Sequence, residues 1–244
     1  MRIGVDEAGR GPCLGPLVIG AFCAPEEDAE LLRDIGVRDS KRLTALRRAA
    51  IATNLRTMGE DRGWAMTTVE LTPPRIDLAL AGAGLNHLEV EGFVEAISEV
   101  WPSSSPPIVS LDACDVDEAR FGRRVANGLR ARGLDPAGVA SKHGMDDHDL
   151  HVGAASILAK TARDASVKAL SEQLGIALGS GYPSDPATKN ALPHLLQGPE
   201  PHPDLRWSWA TIERAWSSIH PGPVPVRSER GSFRQRSLFD PPSS

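Results

Sequence analysis

Two short runs rich in valine, isoleucine and leucine, Met1 to Val5 and Leu17 to Cys23, flank a segment holding Gly9, Gly11, Pro12 and Pro16, and Pro25 closes the second run. Runs of this length, bracketed by turn-forming residues, are strands rather than helices. The chain is therefore expected to open with a β-hairpin. Such a hairpin puts Asp6 and Glu7 at the end of the first strand, with a Gly9-Arg10-Gly11 loop directly after them.

Downstream, Leu43 to Leu55 has helical spacing, Trp64 to Leu71 reads as a strand and Asn86 to Val100 as an amphipathic helix. After the break at Ser103 to Pro107, Ile108 to Leu111 is a short apolar strand ending at Asp112, Asp115 to Arg132 is helical, and a short strand follows near Val139. A helix is expected from Ala154 to Leu174, where Leu158, Ala162, Ala165 and Ala169 form a stripe of mostly small residues suited to close packing on a sheet. Thr188 to Leu196 and Trp209 to Ile219 add two more helices, so the C-terminal portion is helical. Strands alternating with helices give an α/β fold. The length, 244 residues, suits one main domain, taken as residues 1–220. From 221 to 244 the composition turns to proline, serine and arginine, and a disordered tail is expected.

The net charge of −5 argues against indiscriminate nucleic-acid binding. It leaves room for a local basic groove, because screening acts over roughly 10 Å. Cys13, Cys23 and Cys114 are odd in number and form no C-x-x-C pair, so they indicate neither a disulfide framework nor a cysteine zinc site, and small buried hydrophobes are expected. No stretch approaches the ~20 apolar residues of a membrane span, and no signal-peptide pattern opens the chain. The cytoplasm and a monomer are the default expectations.

Asp6, Glu7 and Asp112 sit at strand ends, which in an α/β sheet can converge. Collected carboxylates repel one another unless a cation neutralises them, and oxygen-only ligands suit Mg²⁺ or Mn²⁺. Two such ions ~4 Å apart promote in-line hydrolysis of a phosphodiester. Taken singly, each carboxylate is more often a turn cap or a strand terminus. His143, His148 and His151 surround Asp146 and Asp147, a spacing open to a zinc centre or a general base; without a companion cysteine, exposed or hydrogen-bonded structural histidines are the simpler reading.

The stretches "GVDEAGRGP", "VRDSKRLT", "LDACDVDEARF", "KHGMDD", "AASILAKTARD" and "GSGYPSDP", in this order, resemble the motifs of the ribonuclease HII family over about residues 2 to 216. The resemblance implies a ribonuclease H-like fold, a central mixed β-sheet flanked by α-helices. It also implies a metal-dependent endoribonuclease that hydrolyses the RNA strand of RNA/DNA hybrids and cuts 5′ of ribonucleotides embedded in duplex DNA. The implied mechanism uses two Mg²⁺ or Mn²⁺ ions and leaves 5′-phosphate and 3′-hydroxyl ends. The matching catalytic and metal-binding positions are Asp6, Glu7, Asp112 and Asp146, with Asp147 as the adjacent substitute.

On the same resemblance Gly9, Arg10 and Gly11 form the loop that senses ribose, and Tyr182, the single tyrosine, faces the nucleotide after the ribonucleotide. Ser40, Lys41, Lys160 and Arg163 are the expected phosphate contacts. The plainer alternative for these is a solvated surface, strongest at Arg163, and Lys160 has Asp164 as an i,i+4 partner. The tail peptide "QRSLFD", with Gln235, Leu238 and Phe239, is similar to short peptides that bind bacterial sliding clamps and in part to the archaeal and eukaryotic clamp motif. A non-catalytic hybrid-binding or clamp-recruited adaptor, or another metal nuclease on the same fold, are the rival readings. An acidic residue at every catalytic position weighs against the first, and the glycine loop with Tyr182 against the second. The related ribonuclease HIII carries an additional N-terminal domain, whereas the first strand here begins at residue 2.

Overall fold

The hairpin expected at the N-terminus forms: β1 (Arg2–Ala8) and β2 (Leu17–Ala24) pair antiparallel, with Asp6 opposite Gly20 and Glu7 opposite Ile19. The structure, a computed structural model, describes residues 1–37 and 43–227. β3 (Ala65–Leu71) adds antiparallel to β2, while β4 (Ile108–Asp112) lies parallel to β1 and β5 (Gly138–Lys142) parallel to β4. The order is β3-β2-β1-β4-β5, a mixed sheet with β1 at its centre.

Alternation along the strands sorts the two faces. Ile3, Val5, Ile19, Val109 and Leu111 enter one core with Phe93 and Ile97 of α4 (Leu85–Glu99) and Phe121, Val125 and Leu129 of α5 (Glu118–Ala131). Phe93 and Phe121 meet edge to face, ring centres 5.0 Å apart. This geometry contributes about 1 kcal/mol beyond simple burial.

The opposite face takes α6 (Leu150–Leu174) at very short range. A Cβ on Gly4 would lie 2.1 Å from the His151 carbonyl carbon, and one on Gly20 would lie 2.3 Å from the Ala155 oxygen. The helix backbone thus rests directly on β1 and β2, and any larger residue at either glycine would lift it. The small residues in its first half, Gly153, Ala154, Ala155 and Ala159, are buried, whereas Ala165 and Ala169 of the expected stripe are exposed. Length explains the difference. A 25-residue helix runs about 37 Å, and β1, with 7 residues, spans only about 24 Å, so the second half of α6 leaves the sheet.

That second half packs with the C-terminal helices α7 (Pro186–Leu195) and α8 (Ala210–Ser217) around Cys13, Leu14, Val167, Leu178, Leu205 and Trp216. A bridge between Leu14 and Leu205 ties this cluster to the loop between β1 and β2. α1 (Ala29–Ile35) and α2 (Ala45–Arg62) cover the rest of α6, with Thr44 accepting a hydrogen bond from the Arg47 amide as the α2 cap. α3 (Pro73–Ala81) completes the set. Neither α1 nor α3 is expected from periodicity, because each is short. Cys13 and Cys23 are buried as anticipated, and Cys114 is half-buried. Residues 221–227, assigned to the tail by composition, carry Val224 against the helical cluster and Arg227 in an ion pair with Asp77 at 2.6 Å. Among the described residues no helix is long and apolar enough to cross a membrane.

Candidate active site

The pleat that sends Ile3 and Val5 into one core sends Gly4 and Asp6 toward α6. In the parallel ladder Val5 faces Leu111, so Asp112 comes next to Asp6 on the same side. Asp146 arrives from a single 3-10 turn, Met145–Asp147, entered through Gly144 at φ 65° and followed by α6, whose cap is Asp149. The Met145 amide donates to Asp112 Oδ1 at 3.3 Å, joining this turn to β4. As a result Asp6, Asp112 and Asp146 each bring a carboxylate oxygen within 4.8 Å of the others. Asp147 is exposed, so of the two adjacent candidates it is Asp146 that turns inward.

Glu7 is one residue on and belongs to the other face, where Arg10 lies within electrostatic reach. Its Oε2 is buried, with no hydrogen-bond partner among the described residues. Burial, together with the charge of Asp112, pushes the Asp6 carboxyl up to about 8, against the Ser156 hydroxyl and the Lys160 ammonium, which favour its charged form. Burial raises Glu7 as well. Lys160 Nζ lies 2.6 Å from Ser156 Oγ and 3.7 Å from Asp146 Oδ2. Clustered, desolvated oxygen donors are poor neighbours for one another and good ligands for a hard divalent cation, and the set fits one.

The loop after β1 is held from below. Gly9 has φ 95°, and a Cβ there would lie 2.3 Å from Arg163 Nε and 2.8 Å from the Pro16 oxygen. Arg206, wholly buried, donates to the carbonyls of Gly9 at 2.5 Å, Arg10 at 2.9 Å and Gly15 at 3.1 Å. The Arg10 side chain turns to α4, where Nε donates to Glu89 Oε1 and Nη2 to Asn86 Oδ1, both at 2.7 Å. Beyond Gly11 stands Tyr182, whose Cε1 would be 3.3 Å from a Cβ at that position. Tyr182 is 42% exposed.

Arg163 is buried rather than on a solvated surface; it donates to the Ser180 carbonyl at 2.8 Å, 5.7 Å from the Tyr182 ring centre. Asp164 pairs with Arg48 at 2.8 Å, while Lys160 reaches the carboxylates. Ser40 and Lys41 lie outside the described residues, as do Gln235, Leu238 and Phe239. The histidines do not join the aspartates: His143 contacts the Ala113 carbonyl at 3.2 Å, His148 is exposed, and His151 is buried against Phe22.

Glu89, Asn86, Arg206 and Ser156 are the neighbours that sequence reasoning passes over. Glu89 did leave a trace, since it shares the apolar stripe of α4 with Phe93 and Ile97 at helical spacing. A carboxylate in such a stripe requires a partner. Nothing local announces Arg206, whose partners lie at the other end of the chain.

A mixed sheet that delivers aspartates from adjacent strand ends beside a glycine loop defines an α/β protein of the ribonuclease H-like class. The ribonuclease HII family model matches residues 3–212, and the chain belongs to that family. Ribonuclease HII of Natronomonas pharaonis is 46% identical over 214 residues, covering 87% of this chain and 92% of the relative. The crystal structure of ribonuclease H2 from Pyrococcus horikoshii superposes with a TM-score of 0.78 at 37% identity, covering 89% of this chain and 98% of that one. The structure of the PCNA–RNase HII complex from Archaeoglobus fulgidus gives 0.73 at 32% identity, with 88% and 96% covered. The protein is accordingly a metal-dependent endoribonuclease that cleaves the RNA strand of RNA/DNA hybrids.

Proposed function

We propose that the enzyme cuts on the 5′ side of a ribonucleotide embedded in duplex DNA as well as within longer hybrids, using Mg²⁺ or Mn²⁺. The observation that carries this reading is the continuity of β1: Asp6 of the carboxylate group and Gly9 of the loop are three residues apart, and Arg206 and Arg163 brace that loop. A scissile phosphate at the aspartates would then have its neighbouring sugar at the loop. Asp6, Asp112 and Asp146 would hold the cation, and Glu7, with a buried oxygen that has no hydrogen-bond partner among the described residues, would complete the acidic set from the other face. Divalent ions held there would supply activation of the attacking water and charge stabilisation of the leaving oxygen, the chemistry that leaves 5′-phosphate and 3′-hydroxyl ends.

The chain's own groups supply position and charge. Gly9 and Gly11, lacking Cβ atoms, let the backbone approach a ribose 2′-hydroxyl closely. Tyr182, partly exposed, meets the following nucleotide. Lys160, beside Asp146, offsets negative charge at the phosphate, and Ser40 and Lys41 complete the backbone contacts, whereas Arg163, expected as a further contact, is buried on the Ser180 carbonyl and acts through the loop it braces. Residues 1–220 form the catalytic unit, with 221–227 packed on it through Val224 and Arg227, and the segment that follows, to 244, engages a sliding clamp through Gln235, Leu238 and Phe239. The PCNA–RNase HII complex of the Archaeoglobus fulgidus relative supports that partner.

A DNA duplex carrying one ribonucleotide, incubated with and without Mg²⁺ or Mn²⁺ beside the Asp6→Asn variant, tests the reading. Cleavage 5′ of the ribonucleotide only with metal and only by the unaltered enzyme is expected. Metal-independent cleavage, or cleavage of long hybrids alone, would overturn it. Deleting residues 228–244 is expected to weaken clamp binding and leave cleavage intact.

A further inference from the structure

Glu89 is the most expensively placed carboxylate outside the metal-binding set. Its side chain is 0% exposed, and among the described residues Oε1 accepts only from Arg10 and Oε2 has no hydrogen-bond partner. Desolvation pushes this group up to about 7 in spite of the arginine. The partner itself is 40% exposed. Replacing a buried ion pair of this kind by apolar residues is often neutral or stabilising, so fold stability does not account for a glutamate at the centre of an apolar helix face.

What the pair does account for is the immobility of Arg10. Asn86 and Glu89 stand three residues apart on α4 and present both acceptors from one face of the helix. They engage Nε and Nη2, and among the described residues Nη1 makes no hydrogen bond. The Arg10 carbonyl is meanwhile held by Arg206. Backbone and side chain of the central loop residue are therefore both fixed before any substrate arrives, with the two N–H groups of Nη1 left over.

We infer that Glu89, with Asn86, is a positioning residue that fixes Arg10 in the glycine loop and so sets how well the enzyme recognises a ribonucleotide. The inference rests on the loop's role in reading ribose proposed above. It places the recognition determinant partly in the core, on the helix behind the loop. Losing a charge-assisted bond that orients a binding group typically costs on the order of ten- to a hundredfold in kcat/KM.

The test compares Glu89→Leu, Glu89→Gln, Arg10→Ala and the Arg10→Ala/Glu89→Leu double variant on a duplex with a single ribonucleotide, with melting temperature and Mn²⁺ affinity measured alongside. Glu89→Leu should melt at or above the parent and bind Mn²⁺ as the parent does, yet lose about ten- to a hundredfold in kcat/KM. Glu89→Gln, whose amide oxygen still accepts from Nε, should retain activity within a few-fold, about threefold or less. The double variant should be no worse than Arg10→Ala alone. Parental activity in Glu89→Leu beside an impaired Arg10→Ala overturns the inference and leaves the loop reading standing, as do multiplying losses in the double variant. Loss of activity that only tracks a lower melting temperature overturns it too. Parental activity in Arg10→Ala overturns the loop reading and the inference together.

Discussion

Arg206 and Gly9 lie 197 positions apart and meet through a hydrogen bond of 2.5 Å from the arginine Nη2 to the glycine carbonyl. The C-terminal portion of the chain thus reaches under the loop at the end of the first strand and holds it by its backbone. Burial, with the nearby Arg163, pushes Arg206 down to about 10, so it remains a cation at neutral pH.

Arg206→Ala should be among the most damaging single changes in the molecule. It leaves the carbonyls of Gly9, Arg10 and Gly15 buried without their donor. A loss of about 3–5 kcal/mol is expected in urea denaturation. Arg206→Lys should recover only part of it, because one ammonium cannot reproduce the guanidinium fork.

Gly9→Ala tests the loop itself. At φ 95° an alanine is strained, and its Cβ would also displace Arg163. A shift of about 1 Å in such a loop costs on the order of a hundredfold in rate. Cleavage of a single-ribonucleotide duplex should fall by about that factor, whereas Gly11→Ala, which meets only the edge of Tyr182 at 3.3 Å, should be milder.

Asp6→Asn should separate activity from stability. Burial and the neighbouring Asp112 both disfavour a charge at this position in the metal-free protein, and an amide there carries none. Cleavage should drop to background, Mn²⁺ affinity measured by calorimetry should fall, and the urea midpoint of the chelator-treated protein should stay level or rise.

Asp149 gives the acid response a defined origin. Burial disfavours its charge, but hydrogen bonds from His151 and Ser110 and the charge of His151 outweigh that and hold it well below the usual carboxylate range. It caps α6 by accepting from the amides of His151 and Val152. A depressed folded-state pKa contributes stability that is complete above the unfolded value of about 4 and is lost as pH falls below it. Asp149→Ala should cost about 1–2 kcal/mol at pH 7, and its stability should decline less steeply than the parent's between about pH 4 and pH 2, followed by far-UV circular dichroism.

The hairpin, the long helix and the strand carrying Asp112 were legible because apolar period and turn residues are local signals. Ile108 to Asp112 is apolar between breakers, and nothing competes with a strand there. α3 was not legible: its opening Pro73-Pro74 suits a first helical turn but equally a loop, and packing against α4 selects the helix. The convergence of Asp6 and Asp112 followed from strand ends, Asp146 was reached only through the family resemblance because it sits on a 3-10 turn, and the separation of Glu7 onto the other face followed only from the register. Arg163, which has the composition of a surface residue, is buried because the loop at Ser180 folds over it.

The missing Cβ atoms at Gly4 and Gly20 turn α6 into a fixed gauge for the reaction centre. Because backbone touches backbone there, the span between Asp6 on the sheet and Asp146 and Lys160 on the helix side is set by atoms common to every amino acid, not by the size of any side chain. Substitutions in the opposite core, among Phe93, Phe121 and their neighbours, can therefore alter how firmly the molecule holds together without changing the scale on which it holds its cation.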